Sequence, residues 1–526
     1  MLADSSPDHA ACWRWPRVVL ERTTDREERL VDFVKHLMSD MSVLSKRGER
    51  LLSTENLLAK GFGRCASNLY DGETNPNGCI NLGTAENRLV FDLLKERMNG
   101  YNVQWEDYMY TYQNSQGIPE LRKAVAGFLS DQAKSPKPLD PENIIIMNGG
   151  GICMEALSFS ICDPGDGVMV ASPYYGGIEN DIVLRPEAKI IPVHFYSKSE
   201  PGLTEPFEIT ISKFESVYKE ETEKGMKIRA VVFMNPNNPL GDVYPKQMVL
   251  DMLHFCHRHS LHLIMNEVYL NSIFKEEVAF QSFLSLKPEE VPDPEKVLQD
   301  MSMSGMRFGV IHTLNTSIIS CINTFAYFQL VSVYIQKVMA RLLSDKDWLN
   351  NVFFPTNNKR LREAHKVTTD TLDEIGIPYL NRPSGLYVYA NFKKFMPSLT
   401  AESEMALFYR FIKDGIYIAP SLAFYSDERG WFRIIFTRPL DEIKLAMERL
   451  AKVCHLLQEE NKQSLSIAPA AERGGAGDSS QSKSLEALVS QLQSEMAKSD
   501  WLETNTADKW KAENPKLFQE YMANFK

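Results

Sequence analysis

Four short runs in the middle of the chain share one pattern: "NIIIMNGGG" (143–151), "GVMVASPYYGG" (167–177), "AVVFMNPNNPLG" (230–241) and "LHLIMNEVYL" (261–270). Each is apolar on both faces for a few residues and then stops abruptly in a polar or glycine-rich turn. A strand with one wet face would alternate polar and apolar residues. Runs that do not alternate predict parallel strands covered on both sides. Between them lie helix-like stretches such as "PKQMVLDMLHFCHRHS" (245–260). Strand and helix in alternation predict an α/β fold, a large doubly wound and mostly parallel sheet whose ligand lies at the carboxyl ends of the strands. The residues just after each apolar run are therefore the candidates for chemistry.

After about Lys346 the character changes. "RLREAHKVTTDTLDEIGIP" (360–378) reads as a helix, and "GLYVYANF" (385–392) and "WFRIIF" (431–436) as antiparallel strands of a smaller α+β unit. The expected organisation is an N-terminal extension (1–43), the N-terminal part of the small domain (44–110), the large α/β domain (111–345), the C-terminal part of the small domain (346–465), a flexible linker (466–484) and a helical tail (485–526). The linker is assigned by its composition, "SIAPAAERGGAGDSSQSKS". In the tail Leu485, Leu488, Val489, Leu492 and Met496 recur at helical spacing. That stripe suits a docking helix for a partner as well as a helix packed on its own domain.

Other classes are disfavoured. A net charge of −11 over 526 residues leaves no basic footprint for nucleic acid. The eight cysteines lack paired spacing, which predicts reduced thiols in a cytoplasmic protein rather than a disulfide framework or a zinc site. The start of the chain lacks the pattern of a secretory signal. Phe308 to Gln336 contains no charged residue, but its Asn, Thr, Ser and Gln would be costly in lipid, so the expectation is a buried helix and no membrane span.

The strand ends supply a consistent set of groups. The glycines of "NGGG" (148–151), opening a helix, let backbone N–H groups approach a phosphate. "PYYGG" offers Tyr174 and Tyr175, either of which could cover a flat heterocycle. "NPNNPLG" offers Asn238, "NEVY" offers Asn266 and Tyr269, and "SGMRFG" offers the guanidinium of Arg307. With "NPNGCINLGTAENRLVFDLL" (75–94), "DPGDGVMVASPYYGG" (163–177), "NPNNPLGDVY" (235–244) and "PSGLYVY" (383–389), they resemble the fold-type I pyridoxal-phosphate enzymes of the aspartate aminotransferase superfamily. Within it the chain is most similar to 1-aminocyclopropane-1-carboxylate (ACC) synthases and the ACC synthase-like proteins of animals. The resemblance runs from about Leu44 to Leu457.

What the resemblance implies is specific. The cofactor would be pyridoxal 5'-phosphate, its phosphate held by Gly150, Gly151 and Arg307. Tyr175 would stack on the ring, Asn266 would face the ring nitrogen, and Asn238 and Tyr269 would bond the phenolic oxygen. Arg433 in "GWFRIIF" would clamp an amino-acid carboxylate, with Glu86 on the substrate side. A homodimer is implied, in which Tyr112 matches the position that reaches the neighbour's phosphate.

Two groups that the chemistry needs do not match. The family carries an aspartate where this chain has Asn266, and an amide cannot stabilise a pyridinium by charge. The Schiff-base lysine of the family ends an S-x-S-K motif eight residues before the arginine. Here that position is Gln299, with no serine-rich strand end before it; most of one central strand looks missing, and Lys296 is out of register. Ile152 and Cys153 stand where a hydroxyl residue is expected, and Ser115 where ACC synthases carry an aromatic. These departures favour a catalytically inactive descendant that binds the cofactor weakly and without a covalent bond. The alternative is an active transaminase or lyase in an isoform carrying the intact lysine segment.

Overall fold

The computed structural model describes residues 44–467, apart from 53, 55, 199–204 and 304–305. Among the described residues, those from 44 to 458 belong to one compact unit. A short strand β1 (Ile80–Asn81) comes first, followed by the strands of the main sheet: β2 (Ile144–Met147), β3 (Gly167–Ser172), β4 (Lys189–His194), β5 (Ile228–Met234), β6 (His262–Asn266), β7 (Val297–Met303) and β8 (Phe308–Thr313). Their order across the sheet is β2-β8-β7-β6-β5-β3-β4. All neighbours from β7 through β4 pair in parallel, and only β8 runs against its two partners.

Both faces of this sheet are covered, as the unbroken apolar runs require. Along β3 and β5, Val168, Val170, Ala230 and Val232 pack into a core with the helices Gly150–Ile161 and Gly177–Val183. Their alternate neighbours Met169, Ala171, Val231 and Phe233 join the opposite core, with Phe214 and Phe255 from the helices Ile211–Glu223 and Lys246–Arg258. Each large apolar side chain so buried contributes about 1.5–3 kcal/mol, which fixes the register of every strand against a one-residue slip.

A second, antiparallel layer is made of β9 (Tyr379–Leu380), β10 (Tyr387–Asn391), β12 (Ala419–Pro420) and β13 (Trp431–Ile435), in the order β12-β13-β10-β9. β11 (Ile416–Tyr417) pairs in parallel with β1 and thereby ties residues 80–81 to this layer. Its core takes side chains from the helices Phe354–Glu374 and Ala401–Lys413.

Two expectations need correction. No strand is missing: β7 is complete, and residues 297–303 form it. It pairs with β6 from Leu263↔Val297 to Asn266↔Asp300, and with β8 from Leu298↔Thr313 to Met303↔Phe308. A gap there would leave the facing N–H and C=O rows of β6 and β8 unpaired in the interior, a penalty the available chain avoids by pairing. The uncharged stretch from Phe308 to Gln336 is not one helix: it begins as β8 and turns into the helix Thr316–Phe325. Among the described residues no single helix is long and apolar enough to cross a membrane. The helix Leu440–Ile467 reaches into the stretch read as a linker. The rest of that linker, the N-terminal extension and the tail helix lie outside the described residues. No disulfide joins the seven described cysteines.

Candidate functional site

The carboxyl ends of the parallel strands open onto a cavity of about 380 Å³. Its floor is built where β2 ends. Asn148 is followed by Gly149 at φ 100°, a conformation that glycine adopts without strain, and the helix Gly150–Ile161 starts at once. The first-turn N–H groups of that helix have no intrahelical acceptor and face the cavity end, where the helix dipole also favours an anion.

The antiparallel sense of β8 completes this cradle. Because β8 runs backwards, its amino end lies beside the carboxyl end of β2, with Met147 opposite Gly309. Arg307, at φ 51°, stands just before β8, and its Nη2 donates to the carbonyl oxygen of Asn148 at 3.0 Å. Gly309 allows the close approach: a Cβ there would fall 2.5 Å from the carbonyl carbon of Gly149.

Other strand ends furnish the walls. After β3 the two tyrosines diverge. Tyr174 is buried, stacks on Tyr425 at 5.2 Å between ring centroids and donates to Glu179 at 2.5 Å, whereas Tyr175 is 38% exposed and lines the cavity. Asn238 follows β5, and its Nδ2 donates to the Tyr269 hydroxyl at 3.4 Å. Burial lifts that hydroxyl to about 12, so it keeps its proton at neutral pH. Asn266 is the last residue of β6. From the smaller layer, Arg433 on β13 is 1% exposed; Nη1 donates to Asn238 Oδ1 at 2.8 Å and Nη2 to the Gly83 carbonyl at 2.6 Å. Its guanidinium lies 4.7 Å over the Phe424 ring, and its Nε has no hydrogen-bond partner among the described residues.

Gly150, Gly151, Tyr175, Asn238, Asn266, Tyr269, Arg307, Arg433 and Glu86 all line this one cavity. Tyr112 does not: it is 84% exposed, and its hydroxyl accepts from that of Tyr327 at 3.3 Å. Ser115 turns to Asn323 at 3.3 Å. Sequence reasoning missed two lining residues of consequence. Tyr417 roofs the cavity, wedged so closely that a Cβ on Gly61 or Gly83 would strike its ring at 2.5 and 2.2 Å. Asp181 adds a carboxylate on the cradle side, and burial pushes its carboxyl up to about 7. Neither lies at the end of an apolar run in the main sheet.

A match to the family of class I and II aminotransferases spans residues 67–450. The chain belongs to this family. It is 36% identical over 424 residues to the human 1-aminocyclopropane-1-carboxylate synthase-like protein 1, covering 79% of this chain and 84% of that protein. It is 38% identical over 400 residues to the human probable inactive 1-aminocyclopropane-1-carboxylate synthase-like protein 2, covering 75% and 70%. Among solved structures, a single mutant of Thermus thermophilus aspartate aminotransferase superposes with a TM-score of 0.62 at 19% identity, over 78% of this chain and all of that one. The fold is that of the fold-type I pyridoxal-phosphate-dependent transferases.

For an aminotransferase-family chain, the fit to that cofactor is uneven. Backbone donors, a guanidinium, an aromatic face and two phenolic-oxygen partners suit its phosphate and ring. For a covalent anchor the described lining residues include no lysine. Lys296 lies at the amino end of β7, at the edge of the sheet away from the cavity, 3.6 Å from Asp293. Gln299 is the third residue of β7, opposite Met265 and His312, and so stands inside the sheet rather than at a strand end. Beside Asn266, Glu267 offers a carboxylate, but it accepts from Ser282 Oγ at 2.6 Å and the Phe283 N–H at 2.7 Å and holds that loop instead.

Proposed function

We propose that this chain is a non-catalytic member of the aminotransferase family that holds pyridoxal 5'-phosphate reversibly and without a covalent bond. The observation that carries the reading is the register of β7, which uses Gln299 as an interior strand residue and leaves no amine at the strand end. Covalent catalysis by this cofactor begins with a positioned amine, and no other described residue of the cavity wall supplies one. Asn266 in place of a charged partner removes about 2–5 kcal/mol of support for a protonated ring nitrogen. In this reading Gly150, Gly151 and Arg307 hold the phosphate, Tyr175 covers the ring, and Asn238 and Tyr269 bond the phenolic oxygen. Arg433 and Glu86 then form the amino-acid end. The family resemblance to a human protein named probable inactive supports it.

The protein in this reading is a cytoplasmic homodimer. Trp105, Tyr110, Tyr112, Tyr327 and Phe328 are all exposed, a cluster of aromatic surface that a second copy would cover. A second reading, an active transaminase or lyase in an isoform with the lysine segment intact, is favoured by the completeness of the rest of the cavity. Transcript sequence around Pro294 to Met303 decides whether such an isoform exists. The test of the main reading is reduction with borohydride in the presence of pyridoxal phosphate, followed by peptide mapping and dialysis. The expected result is no stoichiometric adduct and loss of the cofactor on dialysis; a stoichiometric adduct on Lys296 or on a cavity peptide refutes it.

A further inference from the structure

Asp181 stands on the helix Gly177–Val183 and lines the cavity beside the anion cradle. Its carboxylate presses on Gly151: a Cβ on that glycine would fall 2.8 Å from Oδ1 and 3.5 Å from Oδ2. Gly151 is the second residue of the helix whose first-turn N–H groups make the cradle. An ionised carboxylate in this place repels an arriving dianion, whereas a protonated one can donate its O–H to it. We propose that Asp181 is a specificity-determining residue whose proton sets the affinity of the Gly150, Gly151 and Arg307 cradle for dianions. This rests on the reading of the cavity as an anion cradle.

The surroundings support a proton held near neutrality. Burial lifts the Asp181 carboxyl to about 7, and the negative charge of Glu155 adds to the rise. Glu155 comes from the facing helix and is ion-paired with Arg185 at 3.0 Å. Tyr175 faces Asp181 from before its helix, and Arg307 lies across the cradle. Glu179, on the same helix, is occupied by the Tyr174 hydroxyl at 2.5 Å. From β4, Lys189 is exposed, and His194 is held by Ser172 Oγ at 3.1 Å and lies 3.5 Å from Asp427. Among the described residues no cation pairs with Asp181 to pull its proton away. The backbone N–H donors of the cradle do not titrate, so their attraction persists while the opposing charge switches.

Sulfate is the suitable probe, because its own charge does not change between pH 5.5 and 8.5. Calorimetric titration of the full chain with sulfate at fixed ionic strength should show affinity falling by about tenfold or more across that range, as expected for a like charge a few ångströms away. Asp181→Asn should bind sulfate equally, within about twofold, at both ends of it. Glu155→Gln, which removes the neighbouring charge, should move the midpoint of the wild-type curve to lower pH, and it decides the matter if the first variant does not fold. A slope that persists in Asp181→Asn, a wild-type curve without slope, or a Glu155→Gln curve superposed on wild type overturns the inference while leaving the cradle intact. Absence of sulfate binding to wild type even at pH 5.5 overturns both.

Discussion

The closest approach in the cradle invites the sharpest perturbation, Gly309→Ala. The added Cβ would fall 2.5 Å from the carbonyl carbon and 2.6 Å from the carbonyl oxygen of Gly149, and 2.8 Å from Cys153 Sγ. Comfortable carbon contacts lie at about 3.5–4.0 Å, so the turn at Gly149 must retreat by about 1 Å. β8 cannot yield instead, because it is paired on both edges, to β2 and to β7. Overpacking of this kind costs about 1–3 kcal/mol of stability. The larger effect is on binding. A shift of about 1 Å takes an N–H···O contact out of hydrogen-bonding range, and a hydrogen bond to a charged group is worth about 1.5–3 kcal/mol. Sulfate affinity at pH 5.5 should therefore fall by about ten- to a hundredfold. Thermal unfolding and calorimetry on the same preparation measure both terms. Gly127→Ala is the control: it lies in the helix Pro119–Gln132 with nothing within 4 Å of the added carbon, and should stabilise by about 0.5–1 kcal/mol without touching affinity. A Gly309→Ala protein that melts and binds like wild type would refute the account of the cradle.

Three further outcomes are expected. Gln299→Lys should give no borohydride-trapped cofactor, because the new amine enters the middle of β7; a stoichiometric adduct at position 299 would contradict the register. His312 is 7% exposed, and burial lowers its ring to about 4. An unfolded ring takes its proton near pH 6.5 and the folded one only near 4, so stability is complete above pH 6.5 and falls by about 3 kcal/mol as pH drops to 4. Denaturant titrations should show this loss reduced in His312→Gln, with His365, likewise lowered to about 4, still contributing; an unchanged acid profile rules the explanation out. Phe328, 77% exposed, should be covered in a homodimer, so Phe328→Asp should halve the mass seen by light scattering, and a wild-type monomer at micromolar concentration would count against the dimer.

The sequence made β2, β3, β5 and β6 legible because strands buried on two faces cannot alternate, and the polar residues that end them fall into one crevice for topological reasons alone. β8 was misread because an apolar run has the same appearance in a buried strand and a buried helix; only its pairing with β2 and β7 distinguishes them. β7 was missed for the opposite reason. "VLQDMSM" carries little strand propensity of its own, and its structure comes from two waiting edges. Asp181 and Tyr417 left no signal because each reaches the cavity through packing against a glycine on another element.

That borrowed strand has a consequence for how such proteins should be recognised. A sheet can be splinted with a segment of little strand propensity of its own, provided two paired edges await it, so its outline says little about the chemistry at its strand ends. Superposition sees every strand in place, and a substitution table sees one glutamine. Neither registers which residue of the segment stands level with the end of β6, where Asp300 faces Asn266 and Gln299 lies one step behind. If the chain is the non-catalytic protein proposed above, restoring an amine at that level would call for insertion ahead of Gln299 rather than replacement of it.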